Sequence, residues 1–167
     1  MNTYDQQPTG SHYSLAQSTA GLAFWAAGAA RDLRKLLRPD ELPVFAYRGM
    51  SGCAAATALS LAYLQAYGQS FGMIYVRKDS EKSHGSAIEA DITRVQQGPT
   101  VLVFVDDFVA NGTTRWKVMS KAREWLRRVD KARMNEEEFI QVTMKYEPSR
   151  HGHYVWDRDG GYHESMP

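Results

Sequence analysis

Asp106 and Asp107 stand side by side where the uncharged run Thr100-Val101-Leu102-Val103-Phe104-Val105 stops, and Ala110-Asn111-Gly112-Thr113-Thr114 follows shortly after. Two adjacent carboxylates repel each other unless they bind hydroxyls, a cation, or both. A glycine turn that opens a helix presents backbone N–H groups, and threonine hydroxyls beside it complete a cradle for phosphate. Asn111 and Gly112 tolerate the positive φ that such a tight loop needs. A phosphorylated sugar with a divalent ion meets all of these requirements. Two further groups of cations follow apolar runs: Arg48-Gly49 after Val44-Phe45-Ala46-Tyr47, and Arg77-Lys78, with Lys82 and His84, after Phe71 to Val76.

Elements must hold these residues in place. A helix is predicted from about Ser14 to Leu37, with Pro39 at its exit. Val44–Tyr47 has the length of a buried strand, and the glycines of Arg48–Gly52 signal a turn. Cys53–Tyr67 is rich in Ala and Leu and stops at Gly68, so it is predicted to be a helix with a glycine C-cap. Phe71–Val76 reads as a second strand, and 77–99 as a long polar loop with short strand pieces. Thr100–Val105 does not alternate in polarity, which means both faces are buried, as in a parallel sheet covered by helices. Arg115–Val129 places Trp116, Met119, Ala122, Leu126 and Val129 on one helical face. Phe139–Met144 is the last predicted strand. The β–turn–α repetition gives an α/β fold with an open, mostly parallel sheet flanked by helices. In such sheets, ligands bind outside the carboxyl ends of the strands.

Composition bounds the function. The chain has 167 residues, 43% hydrophobic and 23% charged, enough for one domain with a sizeable core. Twenty Lys+Arg against 19 Asp+Glu leave a net charge of +1, which removes the electrostatic case for nucleic acid or an anionic membrane. Cys53 is the only cysteine, so there is no internal disulfide and no cysteine metal cluster. The weakly polar run Ala20–Ala30 is too short to span a bilayer and reads as a helix with a basic end at Arg31, Arg34, Lys35 and Arg38. A cytoplasmic location is expected.

The stretch from Val105 to Thr114 resembles the phosphoribosyl-diphosphate signature of type I phosphoribosyltransferases. Asn111 stands where that family usually carries threonine, and its amide can still donate to a phosphate. Arg48–Gly52 is similar to the family's pyrophosphate loop. Val76-Arg77-Lys78-Asp79-Ser80-Glu81-Lys82-Ser83-His84-Gly85 resembles the mobile catalytic loop of orotate phosphoribosyltransferases, with one additional residue between the lysines. These matches lie in the family's order over roughly residues 44 to 120.

The resemblance implies transfer of 5-phosphoribose from 5-phosphoribosyl 1-diphosphate to a nitrogenous base, with release of pyrophosphate and orotate as the favoured acceptor. It gives Lys82, His84, Lys78, Asp106 and Asp107 catalytic roles. Ala110, Asn111, Gly112, Thr113 and Thr114 would bind the 5-phosphate, and Arg48, Gly49 and Arg77 the pyrophosphate. Mg2+ would be bridged by the donor rather than caged by protein, and a homodimer is implied. The chain would be a single domain over 1–167, with 1–13 a mobile arm, 14–43 the N-terminal helix and candidate for a minimal hood, and 148–167 a tail. The alternatives are a non-catalytic regulator that senses phosphoribosyl diphosphate or nucleotide, and a purine-base transferase.

Blander readings stand beside these. Charge runs such as 77–85 are usually solvated loops. His151 and His153 lack a carboxylate partner pattern and read as an exposed hairpin rather than a metal site. Trp116 and Trp125 read as core residues, and Cys53 as small-residue packing at a helix start.

Overall fold

A computed structural model describes residues 19–79, 81, 86–90, 100–106, 113–129, 134–147, 150–156 and 162–165. Its helices are α1 (Thr19–Leu36), α2 (Gly49–Tyr67) and α3 (Thr113–Val129). Its strands are β1 (Leu42–Tyr47), β2 (Gly72–Val76), β3 (Ile88–Ala90), β4 (Thr100–Asp106), β5 (Met134–Glu147), β6 (Arg150–Trp156) and β7 (Tyr162–Ser165). The fold is α/β, as expected. All strands join one sheet in the order β3-β2-β1-β4-β5-β6-β7.

The four central strands are parallel. Phe45 pairs with Met73 on one side and Val103 on the other, and Val103 pairs in turn with Ile140. The flanking strands β3, β6 and β7 are antiparallel to their neighbours. Because side chains alternate across a strand, each central strand feeds two cores. Phe45, Tyr47, Val101, Val103, Val105, Ile140 and Val142 pack against α1 and α2, together with Trp25, Ala29, Leu33, Ala55, Leu59 and Tyr63. Val44, Ala46, Ile74, Val76, Leu102 and Phe104 pack on the opposite face against Val118, Met119, Ala122 and Leu126 of α3. Burial on both faces explains why β4 carries no polar alternation.

Several boundaries depart from the sequence reading, each for a local reason. The Arg48–Gly52 segment is not an extended turn. Arg48 is the N-cap of α2, and Gly49, at φ +73°, begins the helix. Gly68 closes α2 in the left-handed conformation at φ +68°, and its N–H donates to the Leu64 carbonyl at 2.8 Å. Trp116 does not lie in the core: it is 69% exposed, and Val118 takes the buried position in that turn. Trp125 packs partly against the α3 core. Cys53 is exposed rather than packed. Within the tail, β6 and β7 extend the sheet through antiparallel pairing, with His151 opposite Tyr146 and His153 opposite Met144. The candidate hood helix α1 is built into the layer that covers the sheet, where Trp25 Nε1 donates to the Thr143 carbonyl at 3.5 Å. The expected arm at 1–13 lies outside the described residues.

Candidate functional site

The strand order creates a switch point. From β1 the chain moves through α2 to β2 on one side, while β4 lies on the other side of β1. α2 covers one face of the sheet and α3 the other. A crevice therefore opens between the carboxyl ends of β1 and β4, the place where open α/β sheets receive ligands. Arg48 follows β1 directly, and Asp106 ends β4.

Asp106 is only 6% exposed. A Cβ added at Gly52, in the first turn of α2, would lie 3.5 Å from Asp106 Oδ1 and 3.6 Å from the Val105 carbonyl oxygen. The helix start and the carboxylate thus close on each other across the crevice, and anything beyond a methyl at position 52 would enter it. Neither α2 nor α3 carries an acidic residue in its first turn, and Arg48 makes no side-chain cap hydrogen bond. Two positive helix ends at one sheet edge, without acidic side chains of their own, suit an anion.

The segment after β2 approaches the same edge. A Cβ at Gly49 would sit 3.4 Å from Lys78 Cε and 3.7 Å from Lys78 Nζ, so the ammonium group lies over the glycine. The Glu81 N–H donates to the Lys78 carbonyl at 2.9 Å, as in a turn. Glu81 fixes this turn: its Oε2 accepts from Tyr75 Oη at 2.9 Å and from the Lys78 N–H at 3.1 Å. The Tyr75 hydrogen bond, foremost, holds the Glu81 carboxyl below its usual range. On the strand before it, Tyr47 packs against Tyr75 at 5.7 Å between ring centroids. Burial, with a smaller contribution from the Cys53 thiol, pushes Tyr47 up to about 12.

Asp79 projects from this turn into a group of cations. Lys121 Nζ is 3.1 Å from Oδ1, while Lys117 Nζ and Arg48 Nη2 stand 3.5 and 3.7 Å from Oδ2. The hydrogen bond from Lys121, its charge, and then the charges of Arg48 and Lys117 hold the Asp79 carboxyl below its usual range.

The structure therefore brings Arg48, Gly49, Lys78, Asp106 and the start of α3 to one edge of the sheet. Thr113 and Thr114 are exposed in the first turn of α3. Arg77, expected at the pyrophosphate, is buried and paired with Glu89 of β3, so its charge is already compensated. Lys82, His84, Asp107, Ala110, Asn111 and Gly112 lie outside the described residues. Asp79, Gly52, Lys117 and Lys121 were not singled out from the sequence. The lysine pair had a legible signal, namely two cations at i and i+4 soon after the glycine-threonine turn. Asp79 had none, because only the tertiary fold brings it to α3.

Among the described residues, no group of three or more His, Cys, Asp or Glu could hold a metal. Asp106 brings a hard oxygen donor to the edge, which suits a Mg2+ ion carried in by a phosphate ligand. Two hollows elsewhere are lined by no charged side chain. One of about 170 Å³ lies at the amino ends of β1 and β2, and one of about 340 Å³ lies between α1 and α2. No described helix is long and apolar enough to cross a membrane.

Fold and site together define an α/β protein with a parallel centre and a cationic, helix-flanked crevice at its carboxyl edge. In comparison with solved structures, the chain is similar to orotate phosphoribosyltransferase from Francisella tularensis, at 19% identity and a TM-score of 0.46. The match covers 72% of this chain and 52% of that one, so the chain spans about half the length of that protein. No protein-family model matches the sequence, and no curated protein does.

Proposed function

We propose that the protein is a phosphoribosyltransferase that moves 5-phosphoribose from 5-phosphoribosyl 1-diphosphate to a nitrogenous base, orotate being the favoured acceptor, with pyrophosphate leaving. The observation that carries this reading is the meeting of Arg48, Lys78 over Gly49, and buried Asp106 at one sheet edge, beside the start of α3. These residues belong to the segments whose order and spacing resemble the family's motifs.

The roles follow from position. The N–H groups at the start of α3, with Thr113 and Thr114 and the preceding Ala110, Asn111 and Gly112, receive the 5-phosphate. Asp106, with Asp107, accepts from the ribose hydroxyls and orients the anomeric carbon. Arg48 and the Gly49 backbone face the diphosphate, and Lys78 supplies an ammonium group to it. Lys82 and His84 are assigned to the leaving group by the motif. As the bond to the departing pyrophosphate breaks, these cations face charge that grows on its oxygens, so they lower the barrier more than they tighten binding. Mg2+, when bound with the donor, neutralises part of the diphosphate charge. By the same resemblance, the working unit is a homodimer.

The test is an acceptor screen. Pyrophosphate release is measured with the donor, Mg2+ and each base in turn, orotate and the purine bases included. Release with one base establishes the transferase and names its acceptor. A protein that binds the donor yet releases no pyrophosphate with any base is a sensor of that ligand, not a transferase.

A further inference from the structure

The proposed diphosphate site leaves Lys117 and Lys121 without a role, although both face Asp79 together with Arg48. Their arrangement is costly without an anion. Two lysines at i and i+4 repel each other by a few tenths of a kcal/mol on an isolated helix. Lys117 also lies near the amino end of α3, where the first turn has no acidic side chain to offset the helix dipole. The Arg48 side chain is 10% exposed, so water screens its charge poorly. Asp79 is the group that answers all three, and its side chain is 64% exposed. Among the described residues it is held by the hydrogen bond and charge of Lys121 and by ion pairs with Lys117 and Arg48, while Glu81 is fixed separately by Tyr75 and the Lys78 N–H.

Counting Lys78 at Gly49, Glu81 beside it and Asp106 at the end of β4, the four cations Arg48, Lys78, Lys117 and Lys121 face three carboxylates, Asp79, Glu81 and Asp106, among the described residues. A surplus of positive charge therefore remains even with Asp79 in place. We infer that Arg48, Lys117 and Lys121 form a diphosphate-binding site in which Asp79 is a resident, exchangeable counter-ion that the ligand's phosphate oxygens displace. The inference deepens the reading above and rests on it for the ligand class. It adds Lys117 and Lys121 as binding residues and Asp79 as a competitor built into the chain. A partly buried arginine would thus never face the crevice without an anion, and a ligand must outbid one carboxylate to enter.

Calorimetric titration of the full chain with inorganic pyrophosphate tests this, since it requires neither donor nor base. Asp79→Asn removes the competing charge and should tighten pyrophosphate by about three- to tenfold, the range expected for a few solvent-screened ion pairs. The double variant Lys117→Gln with Lys121→Gln should weaken binding, and adding Asp79→Asn to it should restore much less than the same change gives in the wild type. Glu124→Gln, on the same helix but paired with Arg128, controls for net charge and should leave the affinity unchanged. Circular dichroism and melting temperature confirm that each variant folds. An unaltered or weaker affinity in Asp79→Asn overturns the inference, as does equal tightening by Glu124→Gln. A chain inert in the acceptor screen that still shows the Asp79 effect loses the transferase reading but keeps the site. A chain that turns over normally while Asp79→Asn has no effect loses only this inference.

Discussion

Asp106 combines burial with a position at the mouth of a crevice, and that combination sets what its replacement should do. A solvent-facing carboxylate at a strand end could be neutralised at almost no cost to folding. Asp106 is 6% exposed and lies against the first turn of α2, so Asp106→Asn affects both stability and chemistry. Loss of a buried charged partner costs about 1–3 kcal/mol, equivalent to roughly 2–4 °C of melting temperature per kcal/mol at this chain length. If the carboxylate orients the ribose, pyrophosphate release should fall much further, by roughly a hundred- to a thousandfold, the scale for losing a preorganised charged contact in a closed site. Thermal melts and steady-state rates on the same preparation separate the two. A rate loss no larger than the lost folded fraction would remove Asp106 from the chemistry. Lys78 offers the complementary case. Its ammonium lies over Gly49 and its backbone N–H serves the Glu81 turn, so Lys78→Ala removes the charge while keeping the turn. Turnover should drop with little change in melting temperature.

At the scale of elements, two left-handed glycines make a matched experiment. Gly49 and Gly68 begin and end α2 at φ +73° and +68°. An alanine at either position is strained by about 1–2 kcal/mol. At Gly68 the new methyl meets nothing within 4 Å, whereas at Gly49 it arrives 3.4 Å from Lys78 Cε. Both variants should therefore melt earlier by a similar amount, and only Gly49→Ala should also weaken pyrophosphate binding; equal affinities would place Lys78 outside the anion site. Tyr47, at the end of β1, gives a prediction in pH. Its folded value of about 12 lies above the ordinary 10.0, so between those values the folded state keeps a proton that the unfolded chain has lost. Its contribution to stability is complete below pH 10 and fades as pH rises towards 12. Tyr47→Phe should flatten that alkaline decline in chemical denaturation. The elements themselves were legible to different degrees. β4 and the glycine stop of α2 could be read because burial on both faces and a left-handed cap leave direct marks in the residue types. The start of α2 was hidden, since Gly49 and Gly52 look like a turn yet serve as a helix start and a close approach. β6 and β7 were hidden because they gain order from antiparallel pairing, β6 with β5 and β7 with β6, rather than from their own pattern. Trp116 misled because helical periodicity marks a face without saying where the face ends. At the site, Arg48, Lys78 and Asp106 followed from motif order, whereas Asp79 with Lys117 and Lys121 required the tertiary fold.

The whole molecule carries a net charge of only +1, so it offers a distant polyanion almost no overall attraction. Any electrostatic pull on a diphosphate must come from the local surplus at the carboxyl edge, where among the described residues Arg48, Lys78, Lys117 and Lys121 outnumber Asp79, Glu81 and Asp106. Such a field reaches about 8 Å at physiological ionic strength and further in dilute buffer. Donor affinity should therefore weaken as salt is raised, with a slope set by a few residues and not by the chain's total charge. Arg31 on α1 is exposed and belongs to the opposite helical layer. Arg31→Gln lowers the net charge to zero but should leave both the affinity and its salt dependence as they are. The Lys117→Gln, Lys121→Gln pair should flatten the salt dependence, because the contacts that respond to screening have gone. Donor binding titrated across a salt series for these proteins decides the matter. If Arg31→Gln flattened the slope as much as the lysine pair, binding would be following total charge, and a local cationic crevice would no longer account for it.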